Sequence, residues 1–362
     1  MTDTGDSNAG KKQFNKFKSM QLPRSVVVGN EAIENVGETC KQLKLNGNAL
    51  IICDKTTKKI AGNRVKEILE EKDYFSKITE IEDASQNTID SITKKYKDNM
   101  NFFLGVGGGR SIDVAKYSSH LLDIPFISVP TAASHDGIAS GRASINRNGN
   151  KISVAAQSPL AVVADTEIIA ESPYRLLASG CGDIISNATA VMDWKLAKRL
   201  RNESYSHYAA NLSEMTASSL IKNADSVKPG LEESAWLVVK ALVSSSVAMS
   251  IAGSSRPASG SEHKFSHSLD SRVKNPALHG EQCGVGTIIM MYLHGGDWRR
   301  IKNALEKVGA PTTARGLDLT EEEVVDALIH APEIRPERYT ILGNRKMNSD
   351  AAEEAAKETG VI

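Results

Sequence analysis

The sequence has few cysteines and no excess of either charge. Cys40, Cys53, Cys181 and Cys283 are its four cysteines, and no two of them form a C-x-x-C pair. Neither a disulfide framework nor a cysteine zinc site is indicated, and we expect reduced thiols in the cytoplasm. The 44 Lys and Arg residues balance the 44 Asp and Glu residues. A nucleic-acid partner, whose binding would depend on many phosphate contacts, is therefore not expected.

Long apolar runs are also missing from the sequence. No uninterrupted apolar run reaches the roughly 18 residues that a membrane-spanning helix needs, so membrane insertion is not expected. Residues 1–20 are polar and basic and lack the apolar stretch of a secretory signal, and we predict a flexible tail there. With 40% hydrophobic and 24% charged residues, the composition is that of an ordinary globular protein.

The remaining sequence falls into two parts with different patterns of residues. From residue 21 to residue 172, short β-branched runs alternate with helical patterns, which predicts a Rossmann-like, dinucleotide-binding α/β domain with a mostly parallel sheet. Residues 173–362 contain long Ala/Ser/Leu-rich segments and predict an all-helical C-terminal domain for metal and substrate. The predicted strands contain residues 26–28, 49–53, 102–104, 126–129 and 160–163.

A glycine-rich segment, GVGGGRS at residues 105–111, leaves one predicted strand and enters a helical pattern. Glycines let the backbone approach an anion closely, and the N-terminus of the following helix favours negative charge. The segment has neither the G-x-G-x-x-G nor the G-x-x-x-x-G-K-[ST] spacing. It predicts a phosphate-binding loop, and a tight strand-to-helix turn without a ligand is the alternative.

A second loop, PTAASHDGIAS at residues 130–140, follows the next predicted strand. Small and hydroxylated residues at the carboxyl end of a parallel strand lie where open α/β sheets bind ligands. Asp136 in this loop is therefore a candidate binding residue. An Asp-Gly pair is equally typical of a turn or helix cap.

Three residues of the helical half have side chains suited to a metal. Asp183, His263 and His279 offer one carboxylate and two imidazoles, which suit a catalytic zinc with an open coordination position. They are far apart in sequence, and each histidine is also consistent with a core or surface position. His267 lies four residues after His263, so it shares a helix face with it and is a candidate for orienting substrate or moving a proton. The alternative for His267 is a solvated histidine.

Five motifs, in this order, resemble the archaeal sn-glycerol-1-phosphate dehydrogenases. They are GVGGGRS, PTAASHDG, GCGDIISN, GSEHKFSH and LHGEQCGVG. That family lies in the superfamily of glycerol dehydrogenase, iron-containing alcohol dehydrogenases and 3-dehydroquinate synthase. The similarity runs from about residue 22 to beyond the segment 335–342. It implies reversible reduction of dihydroxyacetone phosphate by NADH or NADPH to sn-glycerol 1-phosphate, the backbone of archaeal phospholipids.

The resemblance also implies roles for individual residues and a homo-oligomer. The resemblance implies that the cofactor pyrophosphate contacts Gly107, Gly108, Gly109, Arg110 and Ser111. The resemblance also implies that Thr131, Ser134 and Ser140 surround the nicotinamide half of the cofactor. It implies Asp183, His263 and His279 as zinc ligands, and Asp136, Asp183 and His267 at the substrate. His267, or a water relayed toward Asp136, is the hypothesised route for the proton that the alkoxide gains.

The choice of metal and of nucleotide depends on two further positions. Iron-type members of the superfamily carry a histidine where this chain has Asn187, and three remaining ligands favour zinc over iron. Asp54, at the end of the second predicted strand, could accept the ribose 2′-hydroxyl of NAD. The neighbouring Lys55, Lys58 and Lys59 could instead tolerate the extra phosphate of NADP, so both nucleotides stay open.

Three other functions remain compatible with these motifs. A zinc-dependent glycerol or polyol dehydrogenase would use the same chemistry on an unphosphorylated substrate, and it would differ by lacking a cationic pocket for phosphate. The sequence does not identify the residues of such a pocket. A 3-dehydroquinate synthase and a non-catalytic dinucleotide sensor are the other two, and measurable turnover with a bound metal excludes the sensor.

Overall fold

Six parallel strands form the central sheet of the first half. The computed structural model describes residues 19–362, so the predicted tail of residues 1–20 lies outside the described residues except for its last two. The order across the sheet is β1-β8-β5-β4-β2-β3, and every neighbouring pair is parallel, which confirms the predicted Rossmann-like sheet. The strands are β1 (Ser25–Gly29), β2 (Ala49–Cys53), β3 (Ser76–Glu80), β4 (Phe102–Gly107), β5 (Phe126–Pro130) and β8 (Ala161–Asp165).

The alternation of side chains along the strands divides the core between the two faces of the sheet. Leu50 and Ile52 of β2 belong to one apolar cluster, whereas Ile51 between them belongs to the other. Helices cover both faces, which is why β2, β4, β5 and β8 are apolar on consecutive residues. These helices are α1 (Val36–Gln42), α2 (Lys55–Thr57), α3 (Asn63–Glu71), α4 (Gln86–Tyr96), α5 (Gly109–Leu121) and α6 (Thr166–Glu171), with a π-helical turn at Lys58–Gly62.

Three strands were not predicted from the sequence. Strand β3 is a sheet-edge strand with exposed and half-buried residues, so its sequence SKITE lacks a continuous apolar run. Strands β6 (Arg142–Arg147) and β7 (Asn150–Ala155) form an antiparallel hairpin outside the main sheet. Asn148 and Gly149 make its turn, both with positive φ. An Asn-Gly pair with positive φ at both positions is typical of a two-residue hairpin turn, and that signal was available in the sequence.

The second half is helical, as predicted. No strand follows Asp165 within the described part of the chain. The domain boundary predicted between residues 172 and 173 falls in the link between α6 and α7 and stays a prediction. The helices are α7 (Tyr174–Arg201), α8 (His207–Lys222), α9 (Glu232–Ala252), α10 (Ser261–Arg272), α11 (His279–Leu293), α12 (Trp298–Lys307), α13 (Glu321–His330) and α14 (Ser349–Glu358).

Helix α9 is long and apolar enough to cross a membrane by length and composition alone. Its most apolar window has a mean hydropathy of 1.7, and 50% of that window is buried inside the fold. It packs against α8, α6 and α7. A core helix passes the same test of length and composition, so α9 is weak evidence for a membrane span.

Helices α7 and α11 approach each other closely at two glycines. A Cβ on Gly182 would lie 2.3 Å from the carbonyl oxygen of Gly280, and a Cβ on Gly280 would lie 1.9 Å from that of Ser179. A side chain at either glycine would force the two helices apart. Because Asp183 follows Gly182 and His279 precedes Gly280, this close contact brings the two candidate metal ligands together.

Candidate active site

One cavity of about 990 Å³ lies between the sheet and the helical half. It begins beside the glycine-rich turn at the N-terminus of α5 and ends among the histidines of α10 and α11. Most of the residues selected from the sequence line it. They are Asp54, Gly108, Gly109, Arg110, Thr131, Ser134, Asp136, Ser140, His263, His267 and His279.

Gly107 and Ser111, together with Asp183, are the selected residues that do not line this cavity, and the first two lie at the glycine-rich turn. Gly107 ends β4 with a φ of 147°, and a Cβ there would lie 2.8 Å from the Ser111 hydroxyl. Ser111 is fully buried in α5, and its Oγ has no hydrogen-bond partner among the described residues. The structure therefore places both where they can shape the turn, and their predicted contact with a pyrophosphate stays a prediction.

The N-terminus of α5 opens into the cavity at Gly108. Gly108 is the N-cap residue, and no side chain caps the helix. A Cβ on Gly108 would meet no atom within 4 Å, whereas one on Gly109 would lie 2.2 Å from Nε2 of His135. His135 is held in place because its Nδ1 accepts a 2.9 Å hydrogen bond from the Gly137 amide. Free helix N–H groups that face open space form an anion-binding site.

Asp54 lies at the same end of the cavity and has a structural role there. Its Oδ1 caps α2 by accepting hydrogen bonds from the amides of Thr56 and Thr57. Its Oδ2 lies 3.5 Å from the guanidinium of Arg110. One carboxylate oxygen is therefore occupied by the helix cap, and the other faces Arg110. The predicted contact between Asp54 and a ribose stays a prediction.

Asp183, His263 and His279 come together although they lie on three different helices. Oδ1 of Asp183 lies 3.7 Å from Nε2 of His263 and 3.8 Å from Nε2 of His279. A tetrahedral zinc with bonds of about 2.1 Å separates its donor atoms by about 3.4 Å, so these distances fit such an ion. Cys283, one turn after His279, joins the cluster, whose donor atoms all lie within 4.8 Å of one another.

Hydrogen bonds orient both imidazoles of this cluster. Nδ1 of His263 lies 3.0 Å from Oε1 of Glu262, whose other oxygen accepts a hydrogen bond from Thr189. Nδ1 of His279 lies 3.0 Å from the Ser266 hydroxyl, which donates to Oε1 of Gln282. Each contact involves Nδ1 and leaves Nε2 of the ring free for a metal. In known metal sites, ligand histidines are oriented by such hydrogen bonds from the nitrogen that does not bind the metal.

The half-buried carboxylate of Asp136 lies near the buried carboxylate of Asp183. Burial raises the pKa of Asp183 to about 7, and the nearby Asp136 carboxylate adds to this rise. Burial also raises the pKa of Asp136. The Asp136 amide donates a 2.8 Å hydrogen bond to Oδ2 of Asp183, which ties the loop to α7. Two neighbouring carboxylates beside two imidazoles form a set of donors suited to a divalent ion at this point.

Asn187, which stands where iron-type members have a histidine, forms a hydrogen bond to helix α9. Its Nδ2 donates a 3.1 Å hydrogen bond to the Ser245 hydroxyl. Ser245 in turn donates to Oδ2 of Asp136. Asn187 therefore supports the loop that carries Asp136, and it makes no contact with Asp183, His263 or His279 among its hydrogen bonds.

His267 and His279 both line the histidine end of the cavity. Nδ1 of His267 lies 3.7 Å from Oδ2 of Asp270, on the next turn of α10. Burial lowers the pKa of His267, and the Arg335 guanidinium adds to this. Burial also lowers the pKa of His279 well below its ordinary value, with His263 and Lys151 contributing. Neutral imidazoles are the forms that bind metals and accept protons.

Several residues at this site were not selected from the sequence. For Cys283 and Glu262 a signal existed, because the first lies four residues after His279 and the second is adjacent to His263. For the cationic residues at the histidine end of the cavity, the neighbouring sequence gave no sign of a role in the site. The residues missed are His135, Arg142, Lys151, Glu262, Ser266, Asp270, Cys283 and Arg335.

Known proteins with similar sequences cover nearly the whole chain. A glycerol-1-phosphate dehydrogenase (NAD(P)+) from Methanosarcina acetivorans is 59% identical over 349 residues, which cover 96% of this chain and 98% of the relative. One from Methanococcoides burtonii is 56% identical over 363 residues and covers 100% of both chains. Residues 27–173 match the family described as iron-containing alcohol dehydrogenase.

Solved structures share the fold at lower identity. Glycerol dehydrogenase from Schizosaccharomyces pombe superposes with a TM-score of 0.76 at 22% identity, over 95% of this chain and 90% of the other. Sulfoacetaldehyde reductase from Bifidobacterium kashiwanohense, solved with NAD+, superposes with a TM-score of 0.74 at 14% identity, over 95% and 98%. At these identities the likeness establishes the fold alone.

Proposed function

This chain belongs to the glycerol-1-phosphate dehydrogenase family, and on that premise we propose that it reduces dihydroxyacetone phosphate reversibly to sn-glycerol 1-phosphate with NADH or NADPH. The product would supply the backbone of archaeal phospholipids. One observation carries the proposal. The open N-terminus of α5 and the cluster of Asp183, His263 and His279 line or border a single cavity. A hydride donor and a carbonyl acceptor can therefore meet between them.

The nucleotide would bind at the sheet end of the cavity. Gly108, Gly109 and Arg110 would hold the pyrophosphate, because the first turn of α5 presents free N–H groups there. Gly107 and Ser111 would keep the turn in shape, and Thr131, Ser134 and Ser140 would surround the nicotinamide half. Asp54 favours NAD through the ribose hydroxyls, but its partner Arg110 can accept the 2′-phosphate of NADP. We therefore propose use of both nucleotides.

Asp183, His263 and His279 would hold Zn²⁺. Zinc fits this set because two nitrogen donors and one oxygen donor leave a coordination position for substrate, and because Asn187 offers no fourth nitrogen. When bound, Zn²⁺ polarises the C2 carbonyl of the substrate and stabilises the charge that develops on its oxygen.

His267 and Asp136 would act on the substrate directly. Nδ1 of His267 faces Asp270, which leaves Nε2 as the nitrogen available to the cavity. In the reduction direction, Nε2 would give the proton that the substrate oxygen gains, or Asp136 would relay it through a water. In the oxidation direction the same atom would accept the proton. Asp136 would also hold the substrate beside Asp183.

The role of His267 is tested by its alanine variant. We expect His267→Ala to lower kcat by about 100-fold or more while the zinc content per chain stays that of the wild type. Steady-state kinetics and elemental analysis of the same samples measure both quantities. An equal loss of zinc and turnover would show that His267 is structural.

Stereospecific product analysis tests the function as a whole. The purified, zinc-loaded protein would be given dihydroxyacetone phosphate with NADH or NADPH, and glycerol with NAD+ in parallel. We expect sn-glycerol 1-phosphate as the product. Turnover of unphosphorylated glycerol alone would instead identify a polyol dehydrogenase.

The proposal includes a homo-oligomer in the cytoplasm. All four cysteines are free and buried, which supports a reducing compartment. Tyr208 and Met215 on α8 are exposed and seven residues apart, so they lie on one face of the helix, and this supports contact with a second copy. Light scattering of the purified protein measures the oligomeric state.

A further inference from the structure

Three cationic side chains line the histidine end of the cavity. Arg142 begins strand β6, Lys151 lies on β7, and Arg335 lies in the segment between α13 and α14. Lys151 and His267 both approach the same carboxylate oxygen of Asp270, at 3.3 and 3.7 Å. Lys151 therefore lies near His267, and Arg142 and Arg335 line the same cavity.

Arg335 is half-buried, and its guanidinium has no hydrogen-bond or ion-pair partner among the described residues. Its φ of 48° lies in the left-handed region, which is unfavourable for arginine and persists only where the surroundings hold it. Arg338 supplies that support, because its guanidinium donates to the Ser259 carbonyl and the Ser255 hydroxyl. The Arg338 amide also donates to the carbonyl of Arg335.

The position of Arg142 is fixed by hydrogen bonds on both sides. Its Nε and Nη2 donate to the hydroxyl and carbonyl of Ser153 across the hairpin, at 2.9 and 2.8 Å. Its own carbonyl accepts a hydrogen bond from the fully buried Lys116, which also donates to the carbonyl of Gly137. Lys116 therefore couples the hairpin to the loop that carries Asp136. Nη1 of Arg142 has no hydrogen-bond partner in the part of the chain that the structure describes.

Of these three cations only Lys151 has a carboxylate ion-pair partner among the described residues. Asp270 is the carboxylate shared by Lys151 and His267, and Gln282 also donates to it. Glu337 acts on Arg335 only at long range. Arg142 and Arg335 line the same cavity, and while burial lowers the pKa of Arg142, the positive charge of Arg335 lowers it further. Two half-buried guanidiniums and an ammonium around one space form a site for a doubly charged anion.

We propose that Arg335, together with Lys151 and Arg142, binds the phosphate of the substrate and thereby selects phosphorylated over unphosphorylated ketones. This inference rests on the proposed function, since it assigns the phosphate end of the same substrate. With its phosphate held by these cations, the substrate would reach His263 and His279, which line the same cavity. Arg335 supplies a forked contact because its guanidinium is not used elsewhere, and Lys151 supplies a point charge.

Kinetic comparison of two substrates tests this assignment. We expect Arg335→Ala to raise the KM for dihydroxyacetone phosphate about 10- to 100-fold and to lower the ratio of kcat/KM for dihydroxyacetone phosphate over dihydroxyacetone by a similar factor. Arg335→Lys should recover part of this ratio. Lys151→Ala, which replaces an exposed side chain, should lower the ratio by about 5- to 10-fold. Arg300→Ala on the exposed face of α12 is the matched control and should leave the ratio unchanged.

Inorganic phosphate gives a test that does not depend on turnover. With the protein saturated with zinc and NAD+, added phosphate should raise the melting temperature of the wild type and of Arg300→Ala, but not of Arg335→Ala. If the wild type fails to reduce dihydroxyacetone phosphate yet shows this protection, the proposed function is wrong and the anion site stands. An unchanged KM and unchanged protection in Arg335→Ala would overturn the anion site. If Arg335→Ala changed the KM for NADPH but not for NADH, the cations would bind the nucleotide and not the substrate. That result would also overturn the proposed anion site.

Discussion

Glu262 is the residue on which the orientation of His263 depends. It is wholly buried, and its Oε1 lies 3.0 Å from Nδ1 of His263. We expect Glu262→Gln to weaken zinc binding about 10- to 100-fold, because a neutral amide holds the imidazole less firmly and lowers its basicity. Competition with a chromophoric chelator measures the zinc dissociation constant.

The exposed Glu322 in the first turn of α13 provides the control for this measurement. Glu322→Gln should bind zinc as the wild type does. Equal zinc affinity in all three proteins would show that the Glu262 carboxylate contributes nothing to the metal site beyond filling space.

Lys264 is a buried lysine that the proposed mechanism does not use. Only 2% of it is exposed, and its Nζ has no hydrogen-bond partner among the described residues. Burial lowers the pKa of Lys264 to about 8. A lysine whose folded-state pKa is lowered destabilises the fold wherever the amine is charged in the folded protein. The penalty is therefore complete below pH 8 and disappears as the pH rises toward the unfolded value of about 10.4.

We expect Lys264→Met to increase the free energy of unfolding at pH 7 by roughly 1–3 kcal/mol, because methionine fills a similar volume without a charge. At pH 10 the gain should be close to zero. Urea unfolding of the zinc-loaded wild type and variant at the two pH values measures the difference. A gain of the same size at both pH values would contradict the assignment of the penalty to the ammonium charge.

At the scale of elements, we expect the two glycines in the turn from β4 into α5 to affect different properties. Gly108 should affect nucleotide binding, whereas Gly109 should also affect stability. Gly108 faces open space, whereas Gly109 is packed against His135. We expect Gly108→Ala to lower NAD(P)H affinity at least about tenfold, because a methyl group would occupy the path of the pyrophosphate, while the free energy of unfolding changes by less than about 1 kcal/mol. Fluorescence titration with NADH and NADPH measures the affinity.

Gly109→Ala is the companion variant for this turn. Its Cβ must displace the His135 ring, so we expect a loss of stability as well as of affinity. Unchanged nucleotide affinity in Gly108→Ala would place the pyrophosphate elsewhere.

At the scale of the whole molecule, the candidate metal site joins elements that are distant in the chain. Asp183 lies on α7, His263 on α10 and His279 on α11, and the Asp136 loop from the first half is hydrogen-bonded to Asp183. A bound divalent cation would relieve the repulsion between the carboxylates of Asp136 and Asp183. Zinc binding should therefore stabilise the folded protein in addition to serving the reaction.

We expect removal of zinc by a chelator to lower the free energy of unfolding by about 4 kcal/mol relative to protein with free zinc at roughly 1,000 times its dissociation constant. Thermal unfolding before and after chelation, and after zinc is returned, measures this change. In Asp183→Asn the chelator should have little further effect. An identical melting temperature with and without zinc in the wild type would show that the cluster binds no zinc.

The sequence by itself determined the types of most elements and the identities of the candidate ligands. Consecutive apolar residues in β2, β4, β5 and β8 indicated strands buried on both faces, and the long helices α7 and α9 were evident from their composition. The pair His263 and His267 lies on one helix, as their spacing predicted. These features are local, because the period of a helix or strand is carried by neighbouring residues. The edge strand β3 lacked an apolar pattern and was missed for that reason.

Only the tertiary structure decided which distant residues meet. The glycine contact between α7 and α11 places Asp183 beside His279, and the position of α10 adds His263. The same packing adds Cys283 to the donor cluster and brings Arg142 and Arg335 to one end of the cavity. No local pattern encodes such encounters, because the distance between residues far apart in the chain depends on how whole helices and sheets pack. The sequence therefore identified the candidate ligands and the glycine-rich turn, and packing determined their geometry and the cationic residues that line the cavity.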